Sequence, residues 1–334
     1  MHFEFVMKHE LLLQCPPLHH AGYDFIGDIH GQHGKLLQLL HKLGYEERNG
    51  IHRHPEGRIP VFLGDLLDRG PDVRGLVRRV RTMVEADAAF CILGNHEYNF
   101  ILLHTPDQQG GWLRPRTKEN LRQGEATHRA FAGYEEELTG HLHWMKGLPL
   151  ALDLGKCRAI HACWDDALLE RVAHHTLRDP EFLLACGNRT TEAHTAMEIL
   201  AKGPELALPQ NLAFLDKKGI ERRNMRTRWW NLKGLTKLAE LAMPPGTLVG
   251  DMPVQEEDLR LLPNYPAEAP PVFFGHYWMP PAGPKAPLAP NLACLDYGAG
   301  LDGPLTAYRW NGEAALDAAN FVQTDYPAEE RAAA

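Results

Sequence analysis

Five short islands of Asp, His, Asn and Arg follow one another along this chain, each where an apolar, strand-like run gives way to a loop. They are Asp28-Ile29-His30-Gly31, Gly64-Asp65-Leu66-Leu67-Asp68-Arg69-Gly70, Gly94-Asn95-His96-Glu97, the single His161, and Gly275-His276. The first three follow strand-like runs at 23–27, 59–63 and 88–93. Helical patterns come after the first two. One runs over 32–43 with Leu36, Leu37, Leu39, Leu40 and Leu43 on one face, the other from Pro71 through Val84, since Pro is tolerated in a first helical turn. Strand, loop and helix repeated in this way predict an α/β fold, in which ligands gather where strands end.

The remaining segments complete one domain over 22–312, with two insertions. The first, 104–148, is expected to be helical and to lie over the strand ends; it carries Gly110-Gly111, Trp112, Arg114, Arg116 and Trp144-Met145. The second, 165–268, reads as partly helical over 192–201 and later Pro-rich. Hairpin-like residues 51–58 precede the second strand, and further strands are expected at 150–154, 157–161 and 271–274. Runs 292–296 and 305–310 predict a hairpin joined through 298–303. Residues 1–21, ending in Pro16-Pro17, read as a loosely attached extension. Residues 313–334 read as a tail whose last eight or so residues fray.

A chain of 334 residues buries a large core, enough for one sizeable domain with insertions or for two. Its 44% hydrophobic and 23% charged content is ordinary for a soluble protein. A net charge of −8, from 35 Lys plus Arg against 43 Asp plus Glu, argues against general nucleic-acid binding or an anionic membrane surface as partner. An anionic substrate remains compatible, because metal ions and local arginines invert the field at one cleft. The six cysteines form no CxxC pair and read as buried free thiols of a reducing cytoplasm. Lys8, His9 and Glu10 interrupt the one signal-like stretch, and no apolar run approaches the ~20 residues of a membrane span, so a cytoplasmic location is expected. Most of the nineteen histidines, among them His19, His20, His52, His54, His141, His143, His174 and His175, read as surface residues.

The islands suit one chemistry. Phosphate esters resist hydrolysis because their anionic oxygens repel nucleophiles. Two divalent metals about 3.5–4 Å apart neutralise those oxygens and turn bound water into hydroxide near neutral pH. Such a pair needs a bridging carboxylate, for which Asp65 is the candidate. Asp28 and His30, two apart in an extended segment, point the same way and can hold one ion. Asn95, His161 and His276 fill out the other. Mixed oxygen and nitrogen ligation favours Mn, Fe or Zn over Ca or Mg. His96 follows Asn95 and would be the general acid, kept protonated by Asp68, while Arg69 can grip phosphate oxygens through two N–H groups. Taken singly, each island has a plainer reading. Asp28 and His30 could be chance, Asn95 a helix cap, and Asp68 with Arg69 a surface ion pair; the ordered set favours the site.

The set resembles the metallophosphoesterase (calcineurin-like) superfamily, and the Gly64 and Gly94 islands resemble its phosphoprotein phosphatase branch, which includes bacterial serine/threonine phosphatases and diadenosine tetraphosphate hydrolases. The resemblance spans 23–310. It implies two packed mixed β-sheets flanked by helices, with the site at the strand ends. One ion would be held by Asp28, His30 and Asp65, the other by Asp65, Asn95, His161 and His276. His96 with Asp68 would be the acid and its orienting carboxylate, and Arg69 with Asn95 would meet substrate. Two transition-metal ions are implied, manganese first, and a phosphorylated protein or nucleotide as substrate. In many superfamily nucleases the last island reads Gly-His-x-His; here Tyr277 and Trp278 follow His276, which fits the phosphatase branch and leaves one ion with fewer protein ligands. A second phosphate-gripping arginine is expected among Arg222, Arg223, Arg226 and Arg228, either Arg226 or Arg228 within Arg226-Thr227-Arg228-Trp229-Trp230, where the likeness to bacterial relatives is close. Asp296 resembles a family acidic position, or is a turn residue before Gly298. Arg114 and Arg116 contact substrate or are solvated. Trp164, Trp229, Trp230 and Trp278 stack a nucleobase or pack.

Overall fold

The structure is a computed structural model describing residues 10–14, 22–209, 212–215, 219, 221–248 and 252–326. Its two large sheets use β1 (Leu12–Gln14), β2 (Tyr23–Ile26), β3 (Ile59–Phe62), β4 (Phe90–Cys91), β5 (Ala151–Asp153), β6 (Arg158–Ile160), β7 (Val272–Phe274), β8 (Leu292–Cys294), β9 (Thr306–Trp310) and β10 (Phe321–Gln323). One sheet has the order β10-β9-β2-β3-β4 and the other β1-β5-β6-β7-β8. β2, β3 and β4 are parallel neighbours. Parallel neighbours need a crossover, and α1 (His33–Lys42) and α2 (Val73–Glu85) provide it.

Alternation along each strand sorts the core into layers. Phe25, Val61, Phe273, Ala293 and Tyr308 fill the space between the sheets, and the Phe25 and Phe273 rings stack with centroids 3.8 Å apart. Ile26 and Phe62 point the other way, onto Leu36, Leu39 and Leu40 of α1 and Leu76, Val77 and Val80 of α2. Both faces of β2 are covered, so all four of its residues are buried.

A polar clamp secures the end of β2 away from the first island. Asp24 is fully buried and takes hydrogen bonds from Arg58 Nη2 (2.8 Å), Tyr45 Oη (2.8 Å) and Arg309 Nε (3.1 Å). Arg58 also donates to the carbonyls of Tyr23 and Trp310, tying β2 to β9. Asp24→Ala would strand two guanidinium groups without their carboxylate, and is expected to cost about 3–5 kcal/mol in urea unfolding. A loss below ~1 kcal/mol would mean that water replaces the carboxylate there.

Several elements differ from the sequence expectation. Leu12–Gln14 is an edge strand, parallel to Ala151–Asp153, with Leu11 fully buried, so part of the segment read as a loose extension belongs to the sheet. Three residues are too short a run for alternation to reveal. Residues 292–296 and 305–310 do not form a hairpin: β8 lies parallel to β7 in one sheet and β9 antiparallel to β2 in the other. β8 is buried at every position, which lets it sit between layers rather than on a one-sided ribbon. β10, in the segment read as a tail, pairs with β9. His52 and His141 are buried rather than on the surface; His141 packs on Phe131 and meets Glu137. Five cysteines are buried and free, as expected, while Cys15, His19, His20 and the final eight residues lie outside the described residues.

The first insertion is helical, as expected: after α3 (Asn95–Leu103) come α4 (Lys118–Gln123), α5 (Glu125–Ala130) and α6 (Glu135–Met145). The second begins with α7 (Asp166–Val172), α8 (Pro180–Gly187) and α9 (Glu192–Lys202). It continues as two small two-stranded sheets around an apolar cluster of its own, including Leu208, Met225, Leu232, Leu238 and Leu241.

Candidate metal centre

All five islands leave their strands on one side of the molecule. Asp28 and His30 follow β2, Asp65 to Arg69 follow β3, Asn95 and His96 open α3 after β4, His161 follows β6 and His276 follows β7. The backbone there is unusual. His30, Asp65, Asp68, Arg69 and His276 all have left-handed φ, between 49° and 71°. Such conformations cost of order 1–3 kcal/mol each in a non-glycine residue and cluster where function demands them. Gly275 is required for a different reason: a Cβ there would lie 1.9 Å from Asp28 Oδ1.

Two sets of donor atoms converge on Asp65. On one side His161 Nε2 lies 3.4 Å from Asp65 Oδ1 and 3.0 Å from Asn95 Oδ1, and His276 Nδ1 lies 2.7 Å from the same Asn95 oxygen. On the other, His30 Nε2 lies 3.3 Å from Asp65 Oδ2. Asp28 joins them, with donor atoms of Asp28, Asp65 and His161 within 4.8 Å of one another, and it accepts the His276 backbone N–H at 3.1 Å. Backbone carbonyls set the histidine tautomers. His30 Nδ1 donates to Leu67 O (2.9 Å) and His161 Nδ1 to Leu63 O (2.7 Å), which turns each Nε2 lone pair inward.

This donor set fits a pair of divalent cations. His30 Nε2 is buried without a hydrogen-bond partner. Burial, then the charges of Asp296 and Asp65, pushes the Asp28 carboxyl well above the usual carboxylate range, and burial also raises Asp65. Carboxylates so placed repel one another unless cations lie between them. Asp28, His30, Asp65, Asn95, His161 and His276 thus lie together in one buried cluster.

His96 belongs to the same cluster but is held differently. Its Nδ1 is 2.5 Å from Asp68 Oδ2, and its Nε2 is 3.2 Å from Arg69 Nη2. Burial pushes Asp68 up to about 6, against the hydrogen bond from Thr127. Thr127, on α5, donates to Asp68 Oδ1 at 2.5 Å and accepts the Asp68 backbone N–H at 3.0 Å. Arg69 lies 4.2 Å over the Trp278 ring, a cation–π contact that holds its fork in place, and its Nη1 is buried without a partner. Glu97 accepts from the backbone N–H groups of Gly94, Asp65, Leu66 and Leu67, at 2.8–3.0 Å. Burial pushes Glu97 up to about 7. One carboxylate thereby shapes the whole loop that carries Asp65.

Glu97 and Thr127 had no site role in the sequence reading. The signal for Glu97 was present as a capping pattern, Glu three residues after the Gly94 N-cap; none marked Thr127. Arg226 and Arg228 are placed differently. Arg226 Nη1 approaches the His276 carbonyl at 3.4 Å, whereas Arg228 donates to Asn231 O and has Glu240 as its acidic neighbour. Asp296 accepts from Trp278 N and Gly298 N in a turn, and its charge acts on Asp28. Trp164, Trp229 and Trp230 are buried packing residues, which removes them as stacking surfaces. Arg116 lies over the Trp112 ring, while Arg114 lines a cleft beside His96.

A family model of calcineurin-like phosphoesterases matches residues 23–276. The bis(5'-nucleosyl)-tetraphosphatase PrpE [asymmetrical] of Halalkalibacterium halodurans is 46% identical over 74 residues, 22% of this chain and 30% of that protein. Its namesake from Geobacillus thermodenitrificans is 34% identical over 146 residues, 42% of this chain and 56% of that protein. The chain therefore matches from under a third to little more than half of these relatives' length. A solved protein serine/threonine phosphatase from Saccharomyces cerevisiae aligns at 13% identity over 96% of this chain and 87% of its own, with a TM-score of 0.49. Among the described residues no helix is long and apolar enough to cross a membrane.

Proposed function

Since this chain belongs to the calcineurin-like phosphoesterase family, we propose that it is a phosphoprotein-phosphatase-type hydrolase acting on phosphomonoesters such as phosphoserine or phosphothreonine. The observation that carries this reading is the convergence of nitrogen and oxygen donors on both oxygens of Asp65. Divalent transition-metal cations, Mn, Fe or Zn for this mixed ligand set, would neutralise phosphoryl oxygens there and supply the nucleophile from water. The chain's own side chains do the rest. Arg69 and Arg226 reach toward the phosphoryl group from two sides, Asn95 fixes it from the helix end, and His96, oriented by Asp68, gives a proton to the departing oxygen. The buried free thiols suit a reducing cytoplasm.

A second reading places a dinucleoside polyphosphate in the same site, and the tetraphosphatase names of the two relatives favour it. Turnover of an aryl phosphate with added manganese tests the hydrolase itself, and phosphopeptides beside diadenosine tetraphosphate separate the two substrates. Absence of turnover on all of them would sink the reading. In the same assay Arg226→Ala is expected to lower kcat/KM by ~10–100-fold, the effect of losing a charged hydrogen bond, while Arg228→Ala stays within about twofold of wild type. Equal effects would return the choice of arginine to an open question.

A further inference from the structure

The first insertion supplies a feature that this chemistry does not use. Beside the acid lies a shallow cleft, open to solvent, whose lining includes Asp68, His96, Asn99, Arg114 and Gln123. Arg114 is half-buried, and neutral amide oxygens hold its fork. Nη1 donates to Asn99 Oδ1 (2.8 Å), and Nη2 donates to Asn120 Oδ1 (2.9 Å) and Gln123 Oε1 (3.2 Å). Gln123 Nε2 in turn lies 3.5 Å from His96 Nδ1, so one side chain separates the guanidinium from the imidazole.

Some arginines packed at least this closely meet a carboxylate: Arg58 meets Asp24, and Arg74 meets Glu137. Arg114 makes no ion pair among the described residues, and Glu198 and Glu119 act on it only from beyond that reach. Amide oxygens fix its direction without cancelling its charge, so its field remains available to an incoming anion. A planar guanidinium is well matched to phosphate. The position says which part of a substrate that anion belongs to. In an in-line displacement the leaving group departs toward the general acid, and the cleft opens beside His96.

We propose that Arg114 and this cleft form a leaving-group subsite for a second phosphate, giving preference to polyphosphate chains over phosphoesters of neutral alcohols. The proposal rests on the hydrolase reading above in its second form, with a polyphosphate as substrate and His96 as acid. In the step it serves, the oxygen of water bonds to the attacked phosphorus as the bridging P–O bond breaks, and the water gives up a proton to solvent. The bridging oxygen keeps that electron pair, and the departing phosphate leaves against the charge of Arg114 or takes the proton of His96.

The test compares inorganic tripolyphosphate with 4-nitrophenyl phosphate at saturating free manganese, for wild type, Arg114→Ala and Asn120→Asp. The second variant leaves the arginine in place and sets a carboxylate beside it. Both are expected to lower the ratio of kcat/KM for tripolyphosphate to that for the aryl ester by about tenfold or more. A ratio unchanged in Asn120→Asp, whether both activities fall together or neither moves, overturns the subsite while leaving the hydrolase standing. Wild-type protein inert toward both compounds overturns the hydrolase reading, and the subsite with it.

Discussion

Asp65→Asn is expected to strip the protein of most of its metal and to abolish most of its turnover. Asp65 faces His30 with one oxygen and His161 with the other, at 3.3 and 3.4 Å. An asparagine keeps one oxygen and loses the charge, so it can serve at most one of the two sets. Changes to residues that merely orient metal ligands cost ~10–100-fold in affinity; a ligand shared by both ions should cost more than ~100-fold. The rate effect follows from what the ions contribute. Several kcal/mol of transition-state stabilisation correspond to a loss of at least ~10³ on an aryl phosphate. The fold should survive, because the His96 backbone N–H that donates to Asp65 Oδ1 at 2.9 Å can donate to an asparagine oxygen at the same place. Elemental analysis after dialysis, alongside a circular dichroism spectrum, reads both. Two ions retained per chain would remove Asp65 from the bridging position.

The reason this site could be read before it was seen lies in where metal ligands must stand. A ligand on a loop just past a parallel strand is presented at the same edge as its neighbours whatever the loop's details. Asp28, Asp65, Asn95, His161 and His276 could therefore be grouped from strand ends and order alone. The residues that were not legible act at one remove. Glu97 holds the Asp65 loop through four backbone N–H groups, and its capping pattern marks only the bond to Gly94, not the three to the Asp65 loop. Thr127 reaches Asp68 from 59 positions away on an insertion helix, and a single threonine in a polar segment has no signature. Alternation could not choose between Arg226 and Arg228, because residues two apart share one face of an extended strand; the strand ends at Arg226, and that end is set by tertiary placement. The strand pairing of 292–310 failed for a related reason. A hydrophobic run with glycines after it fits a hairpin and a crossing between sheets equally well, and only the partners of β8 and β9 distinguish them.

His96→Ala is expected to keep both metals and still lower turnover by ~10²–10⁴, the usual span for a lost general acid. The separation from Asp65→Asn is what gives the measurement its force. His96 Nδ1 is engaged by Asp68 and its Nε2 is flanked by Arg69, whereas the proposed metal set is completed without it. A proton donor matters in proportion to how badly the departing oxygen needs its proton. The loss should thus approach its upper end on phenyl phosphate and shrink on 2,4-dinitrophenyl phosphate, whose phenolate leaves unaided. A residue that only positioned substrate would lower both by the same factor. Asp68→Asn should show the same dependence on the leaving group, more weakly, because the imidazole remains. Combining it with His96→Ala should add little, since groups that act as one unit are strongly non-additive. Near wild-type turnover of phenyl phosphate by His96→Ala would move the acid to another side chain. Uniform loss across the phenols would make His96 a binding residue, with Asp68 and Thr127 serving to hold it there.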